Sequence, residues 1–242
     1  MNRFKLYLEL GKVRITVMVT LSVITGYILH KHTLDLNAIL PVIGVFFLAV
    51  ASSALNHIQE RKHDKYMERT ADRPLPSGKI SLTEAILFVA VIFISGSLMI
   101  YLSSGLIPLL LGWGTLFWYN AIYTPLKRVT QFAVIIGALI GALPPMIGYA
   151  AAGGNVLNID ILTVAFFFFI WQVPHFILLV IKLGKQYESA GFKSLTSIFS
   201  ENQLKRLVLT WVIGTAFSAF LMPAFGVITD KYGGHIAVFI GF

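Results

Sequence analysis

Apolar stretches long enough to cross a bilayer recur along the 242-residue chain, from Leu10 to Leu29, Ile39 to Leu55, Leu82 to Leu102, Leu106 to Tyr123, Phe132 to Ala152, Ile161 to Ile181 and Leu207 to Ala224. Each is near the roughly 20 residues a helix needs to span a hydrocarbon core about 30 Å thick. An eighth stretch begins around His235 and reaches Phe242 after about eight residues, too few to span. The pattern predicts an all-α, polytopic transmembrane helix bundle of seven complete spans plus a partial eighth. Two of the polar segments between spans are long, Asn56 to Ile80 after the second and Lys182 to Lys205 after the sixth. Lying four helices apart, they fall on the same side, as two four-helix halves sharing a site at their interface would place them. No linker or low-complexity tract divides the sequence, so the expectation is one membrane-embedded domain over residues 1–242, short at its C-terminal end.

Composition agrees with the pattern, at 57% hydrophobic and 12% charged residues. With the N-terminus inside, the inner segments hold 17 of the 19 Lys and Arg residues and the outer ones only Lys31 and Lys231. The positive-inside rule then predicts a cell (inner) membrane protein whose N-terminus and long polar loops are cytoplasmic. The same asymmetry accounts for most of the +8 net charge, so no nucleic-acid partner is needed to explain it. The N-terminal segment before the first span carries acid and base and lacks a clear small-residue cleavage site, and is expected to be retained. Cysteine is absent, which excludes thiol catalysis, disulfides and cysteine-held clusters.

The chemistry concentrates in NHIQERKHDKYMERTADRPLPSGK, Asn56 to Lys79. If the preceding helix runs on through it, Asn56, Glu60 and Asp64 recur at i, i+4 and i+8 and share one face. Oxygen ligands of that kind suit Mg²⁺, which is commonly held by one or two carboxylates and completed by substrate phosphates. Arg69 and Arg73 follow, and the guanidinium fork matches phosphate oxygens, so the segment points to a metal-bridged diphosphate. The plainer explanation is that basic residues gather in inner loops of any membrane protein and the acids merely pair with them.

Elsewhere, His30, His32, His57, His63 and His235 fall at predicted helix ends or in loops, where solvated or interfacial side chains are the default. His175 differs, standing inside the sixth span beside Gln172 and Pro174, where a polar residue marks either a substrate path or a structural pair. Pro174 removes a helix hydrogen bond and is expected to open the backbone locally. Phe117, Trp118, Tyr119 and Tyr123 crowd the inner end of the fourth span, as an interfacial aromatic belt or as a lining able to stabilise a carbocation. Gly137, Gly141 and Gly148 with Pro144 and Pro145 allow close helix approach in the fifth.

Taken together these residues resemble the UbiA superfamily of intramembrane prenyltransferases, and more closely its protoheme IX farnesyltransferase (heme O synthase) branch. The resemblance covers most of the chain. It rests on Asn56, Glu60, Asp64, Met67, Arg69, Thr70, Arg73, Pro74, Leu75, Pro76 and Gly78, matching an Asn, Asp, Asp pattern followed by M-x-R-T-x-x-R-P-L-P-x-G, with Glu60 in place of the first Asp. It also rests on YTPLKRVT (Tyr123 to Thr130), GALIGALPPMIGYAA (Gly137 to Ala151) and WQVPHF (Trp171 to Phe176). The second acidic motif departs from the family: KQYESAGF has Gln186 where an Asp precedes the Tyr, and Glu188 lies two positions later, about 200° further round a helix. The family has nine helices.

The resemblance implies a UbiA-type bundle that transfers a farnesyl group from farnesyl diphosphate to a vinyl group of protoheme IX in the membrane lipid, giving heme O. Mg²⁺ would be held by Asn56, Glu60 and Asp64, with Glu188 as a displaced further ligand. Arg69, Arg73, Lys127 and Arg128 would surround the diphosphate, while Tyr123, Gln172, His175 and Tyr187 would contact substrate. An aromatic quinone precursor or another lipid stays open as acceptor, as does a non-catalytic protein that binds heme or isoprenoid.

Overall fold

The computed structural model describes residues 2–227. The described chain runs through α1 (Arg3–Leu10), α2 (Val13–Lys31), α3 (Ile39–Asp64), α4 (Leu82–Ser104), α5 (Leu106–Phe117), a π-helical turn (Trp118–Tyr123), α6 (Thr124–Leu126), α7 (Ala133–Ala151), α8 (Ile159–Ser189) and α9 (Glu201–Ala224), with 3-10 turns at Leu36–Ala38 and Leu195–Ser197. Among the described residues, seven segments are long and apolar enough to cross a membrane: α2, Leu36–Asp64, α4, Leu106–Leu126, α7, α8 and α9. They fall where the apolar stretches predict them, and the chain is an integral membrane protein. The partial eighth span and His235 lie outside the described residues.

Local sequence sets the helix ends. Ser81 and Glu84 form a reciprocal capping box at the start of α4, and Ser200 and Gln203 do the same for α9, each pair satisfying amides that the helix cannot. Asn158 accepts from the Asp160 amide to start α8. Between α4 and α5, Gly105 turns the chain at φ 83°, a conformation open to glycine but strained for other residues.

In lipid the hydrophobic effect does not drive helices together, so association relies on close packing of small residues. A Cβ at Gly26 of α2 would lie 1.8 Å from the Pro145 carbonyl oxygen, and one at Gly148 of α7 would lie 1.8 Å from the Val23 oxygen. These two helices therefore touch backbone to backbone. Val23, Val45, Leu48, Ile100, Leu109 and Ile147 tie α2, α3, α4, α5 and α7 into one apolar cluster. A second cluster joins α7, α8 and α9 through Ala138, Val173, Ile177 and Leu204. Helix α8 continues through Pro174 to Ser189, so the proline does not interrupt the helix.

Two of the boundaries that differ from the hydropathy reading shape the polar end of the bundle. The first span does not begin at Leu10: α1 ends there, and Gly11 and Lys12 form an elbow in which Lys12 takes a left-handed conformation at φ 50°. Helix α1 lies on the polar end of the bundle with Leu6 and Leu10 buried against Ala54, Leu75, Ile80 and Ala85, while Phe4 and Leu8 stay exposed. Arg3 pairs with Glu84, and the Tyr7 ring sits 5.0 Å from Phe88. The second difference is α3, which does not stop at Leu55 but runs on to Asp64. Ala54 and Ile58 of α3 pack with α1 and the Pro74–Ile80 loop, and His57, expected at a solvated helix end, is 1% exposed.

Candidate active site

The extension of α3 carries Asn56, Glu60 and Asp64 one above the other, as the four-residue spacing requires, and all three are buried. Each is met by a cation from a different part of the chain. Lys12, swung inward by the α1–α2 elbow, donates from Nζ to Asn56 Oδ1 at 2.8 Å. The Lys127 ammonium pairs with Glu60. Arg73 donates from Nη1 to Asp64 Oδ2 at 2.9 Å. Burying a carboxylate is costly unless it is paired, and these contacts supply the pairing.

Several polar groups hold this arrangement. Asn56 Nδ2 donates to Thr124 Oγ1 (3.1 Å), and Thr124 Oγ1 donates to the Tyr119 carbonyl (2.9 Å). Asn120, 3% exposed, donates to the Ser52 carbonyl and Gln59 Oε1 and accepts from Ser52 Oγ. Both Asn120 and Thr124 owe their placement to the π turn, whose wider register brings successive polar side chains onto α3. Thr70 donates to the Asp64 carbonyl at 2.8 Å, folding the loop back so that Arg73 reaches its carboxylate. Lys12 sits among Arg73 and Lys127, and burial followed by those two charges pushes its amine down to about 7 even with Glu60 and Asp64 nearby. Positive charge is in local excess.

The other predicted residues divide. Tyr123 joins the cluster, with Lys127 Nζ 5.1 Å from its ring centroid and the Phe176 ring stacked on it at 6.1 Å and 6°. Tyr187 and Phe192 meet edge to face at 5.8 Å, and Phe192 lies 5.8 Å from the same ammonium. Gln172 packs over Gly141, where a Cβ would lie 3.0 Å from Gln172 Oε1. His175 is on an exposed face of α8, stacked on Trp171 at 5.4 Å and 15°, and is not gathered with the carboxylates. Arg69 is exposed. Arg128 turns away, donating to the Gln59 carbonyl at 3.1 Å. Glu188 also turns away: α8 is helical through Ser189, so the two-residue offset points it outward, where it accepts from Thr196 Oγ1 at 2.6 Å.

The family model of the UbiA prenyltransferase family matches residues 18–241. The chain belongs to the UbiA prenyltransferase family. Curated relatives include protoheme IX farnesyltransferases of Geobacter sulfurreducens, 37% identical over 95% of this chain and 85% of that protein, and of Cytophaga hutchinsonii, 38% identical over 96% of this chain and 82% of that one. Among solved structures, a UbiA homolog from Archaeoglobus fulgidus bound to GPP and Mg²⁺ aligns with a TM-score of 0.76 over 98% of this chain and 83% of its own, at 15% identity, a likeness of fold.

The donor set of this UbiA family member fits a divalent ion. Asp64 Oδ1 is buried without a hydrogen-bond partner, and Glu60 Oε1, equally buried, has only the Lys127 ammonium against it. With Asn56 Oδ1 they make a row of hard oxygen donors of the type Mg²⁺ takes. Among the described residues no group of three or more His, Cys, Asp and Glu side chains is placed to hold a metal, so any ion here depends on ligands from elsewhere, as a bound phosphate would supply.

Lys12, Asn120 and Thr124 were not legible as members of this cluster. Lys12 had one signal, the Gly-Lys step between an amphipathic segment and an apolar one, at which a helix can break.

Proposed function

We propose that the chain transfers a farnesyl group from farnesyl diphosphate to a vinyl group of protoheme IX, giving heme O, with the diphosphate seated at the polar end of α3. The observation that carries this reading is the buried row of Asn56, Glu60 and Asp64 met by Lys12, Lys127 and Arg73, an arrangement that puts cations for an anion beside oxygen ligands for a metal. The relatives' shared activity supports the acceptor. The membrane is the cell's inner one with this end cytoplasmic, a reading supported by the 17 Lys and Arg residues of the inner segments.

In the reaction the bond between farnesyl C1 and the diphosphate oxygen breaks, the vinyl group supplies electrons to C1, and water adds to the resulting cation with loss of a proton to leave a hydroxyl. Mg²⁺, held by Asn56, Glu60 and Asp64, would neutralise charge on the departing diphosphate. Lys12, Lys127 and Arg73 are placed to donate to its oxygens, and donors already oriented before reaction are the most effective stabilisers of developing charge. Tyr123 and Phe176 present aromatic faces beside Lys127, where an allylic cation would first be exposed. The apolar bundle below holds the prenyl chain and keeps stray water from the cation.

The test is a mass-spectrometric assay of purified protein with protoheme IX, farnesyl diphosphate and Mg²⁺, beside an Asp64→Ala control. Heme O that is formed by the parent and not by the control is expected; unchanged protoheme with folded protein overturns the reading.

A further inference from the structure

The polar end of α8 has a different occupation from that of α3. Gln186 offers an amide and no charge. Glu188 is exposed and engaged by Thr196, whose hydroxyl also lies 2.7 Å from Ser194 Oγ. This knot is packed against the helix itself, since a Cβ at Gly184 would lie 2.4 Å from Thr196 Oγ1. The segment that follows closes on the α3 cluster without adding an acid to it. The Lys193 amide donates to the Lys127 carbonyl at 2.8 Å, Phe192 is buried with Met67 and Ala190, and His63 Nδ1 lies 3.0 Å from the Ala190 carbonyl oxygen. The end of α8 thus clasps Lys127 by its backbone and its ring.

Charge supports the same division of labour. A prenyl diphosphate brings roughly three negative charges, and Glu60 and Asp64 bring two more. With Lys12 counted as an ammonium, Lys12, Arg73 and Lys127 offset three of the five, and one divalent ion offsets the rest. A second ion would leave the pocket positive and would need a carboxylate at the α8 end, where Gln186 is neutral and Glu188 is engaged by Thr196. Paired-metal sites hold their ions about 3.5–4 Å apart, which calls for ligands on both sides of the diphosphate.

We propose that this chain binds its diphosphate with a single divalent ion at Asn56, Glu60 and Asp64, and that the Lys127 ammonium, clasped by the α8 end, takes the place a second ion would fill. The proposal rests on the diphosphate reading above.

The experiment is a Mn²⁺ titration of the full chain in lipid nanodiscs, followed by electron paramagnetic resonance, with a farnesyl thiolodiphosphate whose bridging sulfur slows departure. One Mn²⁺ per chain, free of spin–spin broadening, is expected, and Lys127→Met should weaken analogue binding at least tenfold while the count stays at one. Gln186→Asp should raise the count to two. Two Mn²⁺ per parent chain with dipolar broadening overturns the single-ion proposal and leaves the diphosphate reading intact. Neither Mn²⁺ nor analogue retained by folded protein overturns both.

Discussion

Helices α3 and α8 both run out of the apolar bundle into polar sequence, but they end differently. On α3 the four-residue spacing stacks Asn56, Glu60 and Asp64 on one covered face, where each finds a cation. On α8 the acid has moved two positions, which in a continuous helix is enough to turn it outward, and its partner is a hydroxyl within the same loop. A carboxylate's chemistry is therefore set by its angular position on the helix as much as by its presence in a motif. Buried acids concentrate cations and metal affinity, whereas an exposed one contributes little beyond a local hydrogen bond.

The contrast can be broken from either side. The largest effect is expected at Glu60→Ala, which removes a proposed ligand and frees Lys127; heme O formation should fall about 100- to 1,000-fold, and unaffected turnover in a steady-state assay would sink the α3 site altogether. Next is Lys127→Met. It leaves Glu60 buried without its counter-charge, a loss worth about 3–5 kcal/mol when a buried pair is broken from one side, so the melting temperature should drop together with turnover. Smaller, and more diagnostic of geometry, is Gly11→Ala. A Cβ there would lie 2.7 Å from Val50 Cγ1 and lift the elbow that delivers Lys12. The KM for farnesyl diphosphate should rise about tenfold, and Val50→Ala in the same chain should restore it. The smallest effect is expected at Arg128→Ala, under about twofold, because that side chain is exposed and bound to the back of α3.

Much of this was readable in the chain before any geometry. Seven spans follow from length and hydropathy, because a helix in lipid must satisfy its own backbone and announces itself as an uninterrupted apolar run. The face shared by Asn56, Glu60 and Asp64 follows from helix periodicity, and the outward turn of Glu188 from the same rule applied to a two-residue offset. What stayed hidden depended on breaks in periodicity. The left-handed Lys12 sets α1 apart from the first span and moves the start of that span from Leu10 to Val13, a break that the apolar run itself does not mark. The π turn likewise moves Asn120 and Thr124 onto α3 by a register shift that an ideal α-helix does not contain. His57 is buried on the extended part of α3 rather than at a solvated helix end, a tertiary burial with no local signature.

The most direct measurement sets Asp64→Asn beside Glu188→Gln in one assay of heme O formation, with both proteins shown to be folded. The two changes remove the same charge from equivalent helix ends. The account predicts that Asp64→Asn loses nearly all turnover and Glu188→Gln keeps that of the parent. Turnover that survives in Asp64→Asn and disappears in Glu188→Gln would place the diphosphate on α8 and contradict it.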